Sequence, residues 1–86
     1  MQVKFSRQFT KQYAKAGVRM QKQFNHRLAV FQKDPFAKLL NNHALTGKYR
    51  CFRSINVTGD WRAIYSITKE GVCIFEVLGT HSQLYR

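Results

Sequence analysis

The chain has 86 residues, 44% of them hydrophobic, and fifteen Lys and Arg stand against four Asp and Glu for a formal net charge of +11. That length suits one domain over residues 1–86 with a modest core, and the apolar content is too high for a disordered basic tail. No apolar run approaches the ~20 residues of a membrane-spanning helix, and MQVKFSRQF lacks the apolar centre of a secretory signal. A soluble, cytoplasmic protein without a membrane partner is expected. Residues 1–33 hold eight Lys or Arg and no acid. Such an excess makes polyanions the natural partners, nucleic acid first and an acidic protein second. A membrane-surface helix ranks third, because the cations alternate with Gln, Asn and aromatic residues.

In chain order, QVKF alternates and predicts a short first strand. Ser6 offers an N-cap to a helix over RQFTKQYAKA, with Phe9 and Tyr13 at i, i+4 and Gly17 at its end. A second helix is predicted from about Val18 to Gln32. Met20, Phe24, Leu28 and Phe31 form its apolar stripe, while Arg19, Lys22, His26 and Lys33 gather on another side, which reads as a solvated face. Pro35 stops this helix, and FAKLLNNHALTG is a connection with apolar anchors. From Tyr49 the period changes to two. YRCFRSIN, WRAIYSIT and VCIFEVL read as three strands joined by VTGD and KEG, two consecutive antiparallel hairpins. The predicted fold is α+β in the order β-α-α-β-β-β, with both helices on one face of a small, mainly antiparallel sheet and the other face open or partly covered.

Cys51 and Cys73 fall inside strand-like runs without metal-ligand spacing, so two reduced thiols are expected, and no metal or cofactor is implied. Among the proton carriers, His26 lies off the apolar stripe and reads as exposed. His43 sits in the connection before the strands and His81 just after the last one; for either alone a surface role is the more common outcome. Asp60 precedes Trp61 at a strand entry, as a turn residue or as a site carboxylate. Alternation places Arg62, Ile64 and Ser66 on one face, and Trp61, Ala63, Tyr65 and Ile67 on the helix side. Arg62 then suits a phosphate, or a salt bridge to Glu76 or Asp60. No Gly-rich loop precedes a helix, no elbow motif presents a Ser, and four scattered carboxylates do not make a two-metal nuclease. Metal-free cleavage of RNA remains, since its own 2′-OH attacks once a base, an acid and cations are supplied.

Taken together, His-x-Leu-x-Gly from His43, Asp60-Trp61-x-x-x-Tyr65 and Gly-Thr-His-x-x-Leu-Tyr over residues 79–85 resemble the RelE/ParE toxin superfamily of type II toxin–antitoxin pairs. The YafQ-like branch is the nearest, and the element order matches along the whole chain. The resemblance implies a ribosome-dependent endoribonuclease that cuts mRNA, inhibits translation and is silenced by a small acidic antitoxin. It implies His81 as general acid, Asp60 or His43 as base, and Trp61 and Tyr85 as aromatic neighbours of the RNA. Arg62 matches a phosphate-facing Arg of the RelE branch. Asn56 stands where YafQ-like proteins carry another His, and Val77 where they carry an Arg. Two further readings share the fold: a ParE-like poison of DNA gyrase that does not cut, and a degenerate member that binds RNA or its antitoxin without cutting.

Overall fold

The computed structural model describes residues 1–85. In chain order they form β1 (Val3–Phe5), α1 (Arg7–Ala16), α2 (Val18–Lys33), β2 (His43–Ala44), β3 (Arg53–Asn56), β4 (Trp61–Ile67), β5 (Cys73–Thr80) and α3 (His81–Leu84). Short 3-10 turns lie at Lys38–Leu40 and Gly47–Tyr49. The five strands make one sheet in the order β1-β5-β4-β3-β2. β1 runs parallel to β5, and every other pairing is antiparallel. The expected α+β architecture is present, with β2 and α3 added to it.

Ser6 starts α1 by accepting the Phe9 N–H on its hydroxyl at 2.9 Å. The same hydroxyl donates to the Glu76 carbonyl at 2.8 Å, so the cap also fastens the helix to β5. Gly17 joins α1 to α2 at φ +90°, a conformation that favours glycine. On α2, Phe24 and Phe31 are buried, Met20 and Leu28 pack beside them, and Arg19, Lys22, His26 and Lys33 face solvent. Phe75 of β5 is the hub of this core. Its ring centroid lies 5.8 Å from Phe9, 5.4 Å from Phe24, 5.5 Å from Phe31 and 5.5 Å from Tyr65. Each fully buried aromatic or aliphatic side chain contributes about 1.5–3 kcal/mol relative to exposure. The helix face of the sheet therefore carries most of the stability.

Three local expectations are corrected. Residues 49–52 are not strand: Gly47 at φ +67° opens a turn, Cys51 sits left-handed at φ +76°, and extended chain begins only at Arg53. Cys51 is consequently exposed on that turn, while Cys73 is buried in β5, and both are free thiols. β5 extends two residues beyond Leu78, because Gly79 and Thr80 pair with Arg62 and Trp61. Alternation also fails at Ile67, which closes β4 and is 51% exposed. The register shifts between Ile64, opposite Val77, and Tyr65, opposite Phe75. That bulge leaves Glu76 without a cross-strand partner.

Beyond the sheet from α1 and α2, Ile64, Val77 and Leu84 form a second, smaller buried cluster, with Leu45, Tyr49 and Phe52 packed against it. The second face is thus covered at its centre by the 45–52 connection and by α3. Its margins stay polar.

Candidate active site

The two hairpins bring distant residues to one margin of that second face. Because Trp61 pairs with Thr80, the turn before β4 meets the start of α3. The His81 N–H donates to the Asp60 carbonyl at 2.9 Å. Both ends of this contact are shaped locally. Thr58 Oγ1 accepts the Trp61 N–H at 3.1 Å in the turn. Thr80 caps α3 reciprocally with Gln83, whose side chain accepts the Thr80 N–H at 2.9 Å. The T-x-x-Q spacing of that capping box is a signal in the sequence, although a four-residue helix is too short to show periodicity.

Asp60 and His81 are both exposed. The His81 ring lies 4.6 Å from the Tyr85 ring, and Tyr85 meets Tyr49 edge-on at 5.9 Å. Burial, and after it the neighbouring Tyr85 phenol, push the Tyr49 hydroxyl above its ordinary range. Tyr49 is a member of the site that its strand-like surroundings in the sequence concealed.

Arg62 lies opposite Gly79 and Asn56 in the ladder. Its Nη1 donates to the carbonyls of Thr58, Gly59 and Trp61, each at 3.1 Å. The guanidinium thus lies on the carbonyl side of the turn that bears Asp60. It forms no ion pair with Asp60 or Glu76; the Glu76 carboxylate instead accepts from Ser66 Oγ at 3.2 Å. Gly79 is closely packed: a Cβ there would sit 3.0 Å from Gln83 Oε1 and 3.3 Å from a Leu84 methyl, so either side chain would have to shift.

Asn56 is half-buried, and its Oδ1 has no hydrogen-bond partner; the same holds for Ser54 Oγ, buried two residues earlier. Arg27 Nη1 holds the Asn56 main-chain carbonyl at 3.2 Å and that of Leu39 at 2.8 Å, tying α2 to β3. Val77 is only 7% exposed and belongs to the small apolar cluster. His43 stands on the edge strand β2 rather than in a loop, with Nδ1 2.7 Å from the Asn41 carbonyl. It pairs with Ser54, and through Ile64 with Val77, four residues before His81. Three strand spacings across the sheet and four residue steps along it set its Cα on the order of 20 Å from that of His81. Asp60, Arg62, His81 and Tyr85 are brought to this margin, and His43 is not; Trp61, next to Asp60, packs on the helix side, as alternation predicted.

Among the described residues, no group of three His, Cys, Asp or Glu is placed to hold a metal ion, and no helix is long and apolar enough to cross a membrane. A family model described as the bacterial toxin of type II toxin-antitoxin system, YafQ, matches residues 1–86. The chain belongs to the YafQ toxin family. YafQ from Escherichia coli strain BL21(DE3) superposes with a TM-score of 0.82 at 24% identity, covering 98% of this chain and 97% of that one. The E. coli DinJ–YafQ toxin–antitoxin complex aligns at 26% identity with a TM-score of 0.68, over 98% of this chain and 96% of that one. A copper-bound mutant toxin from Helicobacter pylori aligns at 26% identity and a TM-score of 0.76, over 99% of each chain. No curated protein sequence matches the chain. In this YafQ-family toxin, the RelE/ParE-type fold expected from the sequence is present throughout.

Proposed function

We propose that this toxin is a ribosome-dependent mRNA endoribonuclease working by acid–base chemistry on the RNA's own 2′-OH. The observation that carries the reading is the main-chain hydrogen bond from the His81 N–H to the Asp60 carbonyl at 2.9 Å, which brings the backbone positions of a candidate acid and a candidate base to one margin. In the reaction, Asp60 accepts the 2′-OH proton as the 2′-oxygen bonds to phosphorus. The phosphorus–5′-oxygen bond breaks, and His81 gives its proton to the departing oxygen. The products are a 2′,3′-cyclic phosphate and a 5′-hydroxyl. Asp60 is preferred to His43 as base because His43 lies across the face. Arg62, anchored through one nitrogen, keeps donors for the phosphate oxygens as charge develops. Trp61 and Tyr85 offer aromatic surfaces against which bases stack.

The net charge of +11 suits an RNA surface, and ribosome binding is expected to weaken steeply as salt rises. An acidic antitoxin is the second partner, supported by the toxin–antitoxin complex of the E. coli relative. Covering the margin of the second face would silence the toxin.

The test is in vitro translation with added protein and mapping of mRNA 5′ ends. Cuts that require ribosomes are expected, and His81→Ala should lower them by 10²-fold or more, the usual scale of a lost general acid. Undiminished toxicity of His81→Ala would point to the gyrase-poison reading. Arg62→Ala should cost about tenfold or more, a lost charge-assisted contact to phosphate, and an unchanged cutting rate would remove Arg62 from the mechanism. A non-cutting, binding-only toxin is the second reading. It draws on Val77, closed inside an apolar cluster, and on Asn56, where the family carries a His.

A further inference from the structure

β1 ends opposite Phe75, and beyond it that edge of β5 has no partner strand and runs beside α1. There an open cleft of about 710 Å³ separates α1 from α3, within the ~300–1,000 Å³ of small-ligand sites. The cleft wraps this edge of β5: Leu78 and Trp61 line it on the helix side, Val77, Leu84 and Tyr49 on the other, and the exposed Lys15 and Lys48 also line it. Trp61 follows Asp60 directly, and Gln83 is two residues past His81, so the cleft adjoins the candidate catalytic pair.

Two amides in this cleft have a fixed polarity. Gln12 Oε1 accepts the Leu78 N–H at 2.8 Å, a main-chain donor that β1 is too short to reach. Gln83 Oε1 accepts the Thr80 N–H at 2.9 Å. Flipping either amide would set NH2 against N–H, so each is held with its oxygen occupied. Neither amide nitrogen has a partner among the described residues. Two NH2 groups are thereby left as oriented donors, two lysines add only donors, and no carboxylate lines the cleft; Gln8, the third amide lining it, has no partner among the described residues and is free to turn either way.

We propose that this cleft is a nucleobase subsite of the toxin, taking a guanine of the RNA that flanks the scissile phosphate. The proposal rests on the RNA-cleaving reading and deepens it by naming the base. An aromatic and apolar lining accepts a flat ring by stacking. Fixed NH2 groups select an edge made of acceptors. Guanine presents O6 and N7 side by side, whereas adenine sets an N6 donor beside N7. The lysines are then left to neutralise the flanking phosphates.

The experiment follows the side-chain NH2 signals of Gln12 and Gln83 by NMR in the free toxin. Guanosine 5′-monophosphate, adenosine 5′-monophosphate, inorganic phosphate and a poly-glutamate peptide are titrated in turn. The guanine nucleotide should move both signals and bind at least about fivefold more tightly than the adenine nucleotide, the low end of discrimination by a good base contact. Gln12→Glu combined with Gln83→Glu keeps an oxygen for each main-chain N–H but replaces the free donors by acceptors, and should erase that preference. Equal binding of the two nucleotides, or no shift at Gln12 and Gln83, overturns the subsite. An equal response to inorganic phosphate overturns it in favour of a phosphate patch, and a response to poly-glutamate alone in favour of an antitoxin surface. The titration needs no cleavage, so the two readings fail separately. Guanine-selective binding by a protein that cuts no mRNA supports the subsite and sinks the nuclease; cutting without such binding does the reverse.

Discussion

The two faces of the sheet are held by different means. Against α1 and α2, large rings converge on Phe75, and Phe9, Phe24 and Phe31 are at most 1% exposed. On the opposite face three buried residues, Ile64, Val77 and Leu84, carry the packing, and a connecting segment and a one-turn helix do the covering. A heavily packed face leaves no room for unpartnered polar groups. The lightly packed one tolerates an exposed His and Asp at its margin and an Asn56 oxygen without a partner. Most of the stability thus lies on one face, while the candidate acid and base lie at the margin of the other.

Substitutions on each face test that separation. Phe75→Ala should have the largest effect on stability, about 3–5 kcal/mol by urea unfolding. A loss below about 1 kcal/mol would mean that the helix face is not the dominant one. Leu84→Ala on the other face should cost about 2–3 kcal/mol, since the small cluster collapses more easily. Because Leu84 seats α3, cleavage by this variant should fall further than its folded fraction at the assay temperature explains; a parallel fall would make α3 purely structural. Ser6→Ala removes the α1 cap and should cost about 1 kcal/mol, with ribosome-dependent cleavage unchanged at temperatures where the protein is folded.

The smallest effect distinguishes the two thiols. Burial pushes the Cys73 thiol from its ordinary 9.0 up to about 12. Iodoacetamide followed by mass spectrometry should therefore modify Cys51 in the native protein and spare Cys73. The same shift sets a pH dependence. The unfolded chain releases the Cys73 proton near 9 while the folded chain holds it to about 12, so stability should fall as pH rises through that window. Cys73→Ala should flatten this decline, and an identical slope in the variant would exclude Cys73 as its source.

The sequence made some of these features plain. VTGD and KEG give the hairpins away because Gly and a short polar loop demand a turn, and Ser6 announces α1 for an equally local reason. The stripe from Met20 to Phe31 shows which side of α2 is inside. What stays hidden depends on contacts between distant residues. YRCF alternates as a strand would, yet its backbone is bent by left-handed geometry at Gly47 and Cys51. The bulge after Ile64 appears only when β4 and β5 are laid side by side. The nearness of Asp60 and His81 follows from hairpin pairing and was partly legible. The remoteness of His43 was not, since its place depends on two-residue β2 joining the far edge. The cleft between α1 and α3 likewise joins residues about 70 positions apart.

The placement of β1 has a consequence for the time course of synthesis. Ser6 bonds to Phe75 and Glu76, and the first helix packs on a strand that is translated 70 positions later. Pairing of such high sequence separation forms late and slowly. The aromatic hub cannot assemble until Phe75 has cleared the exit tunnel, and a nascent chain halted before residue 73 lacks the strand on which its helices close. Until those residues emerge the helices have no strand to close on, and the chain is expected to stay unfolded. A stalled nascent chain ending near residue 70 should be digested rapidly by protease, whereas released chain resists.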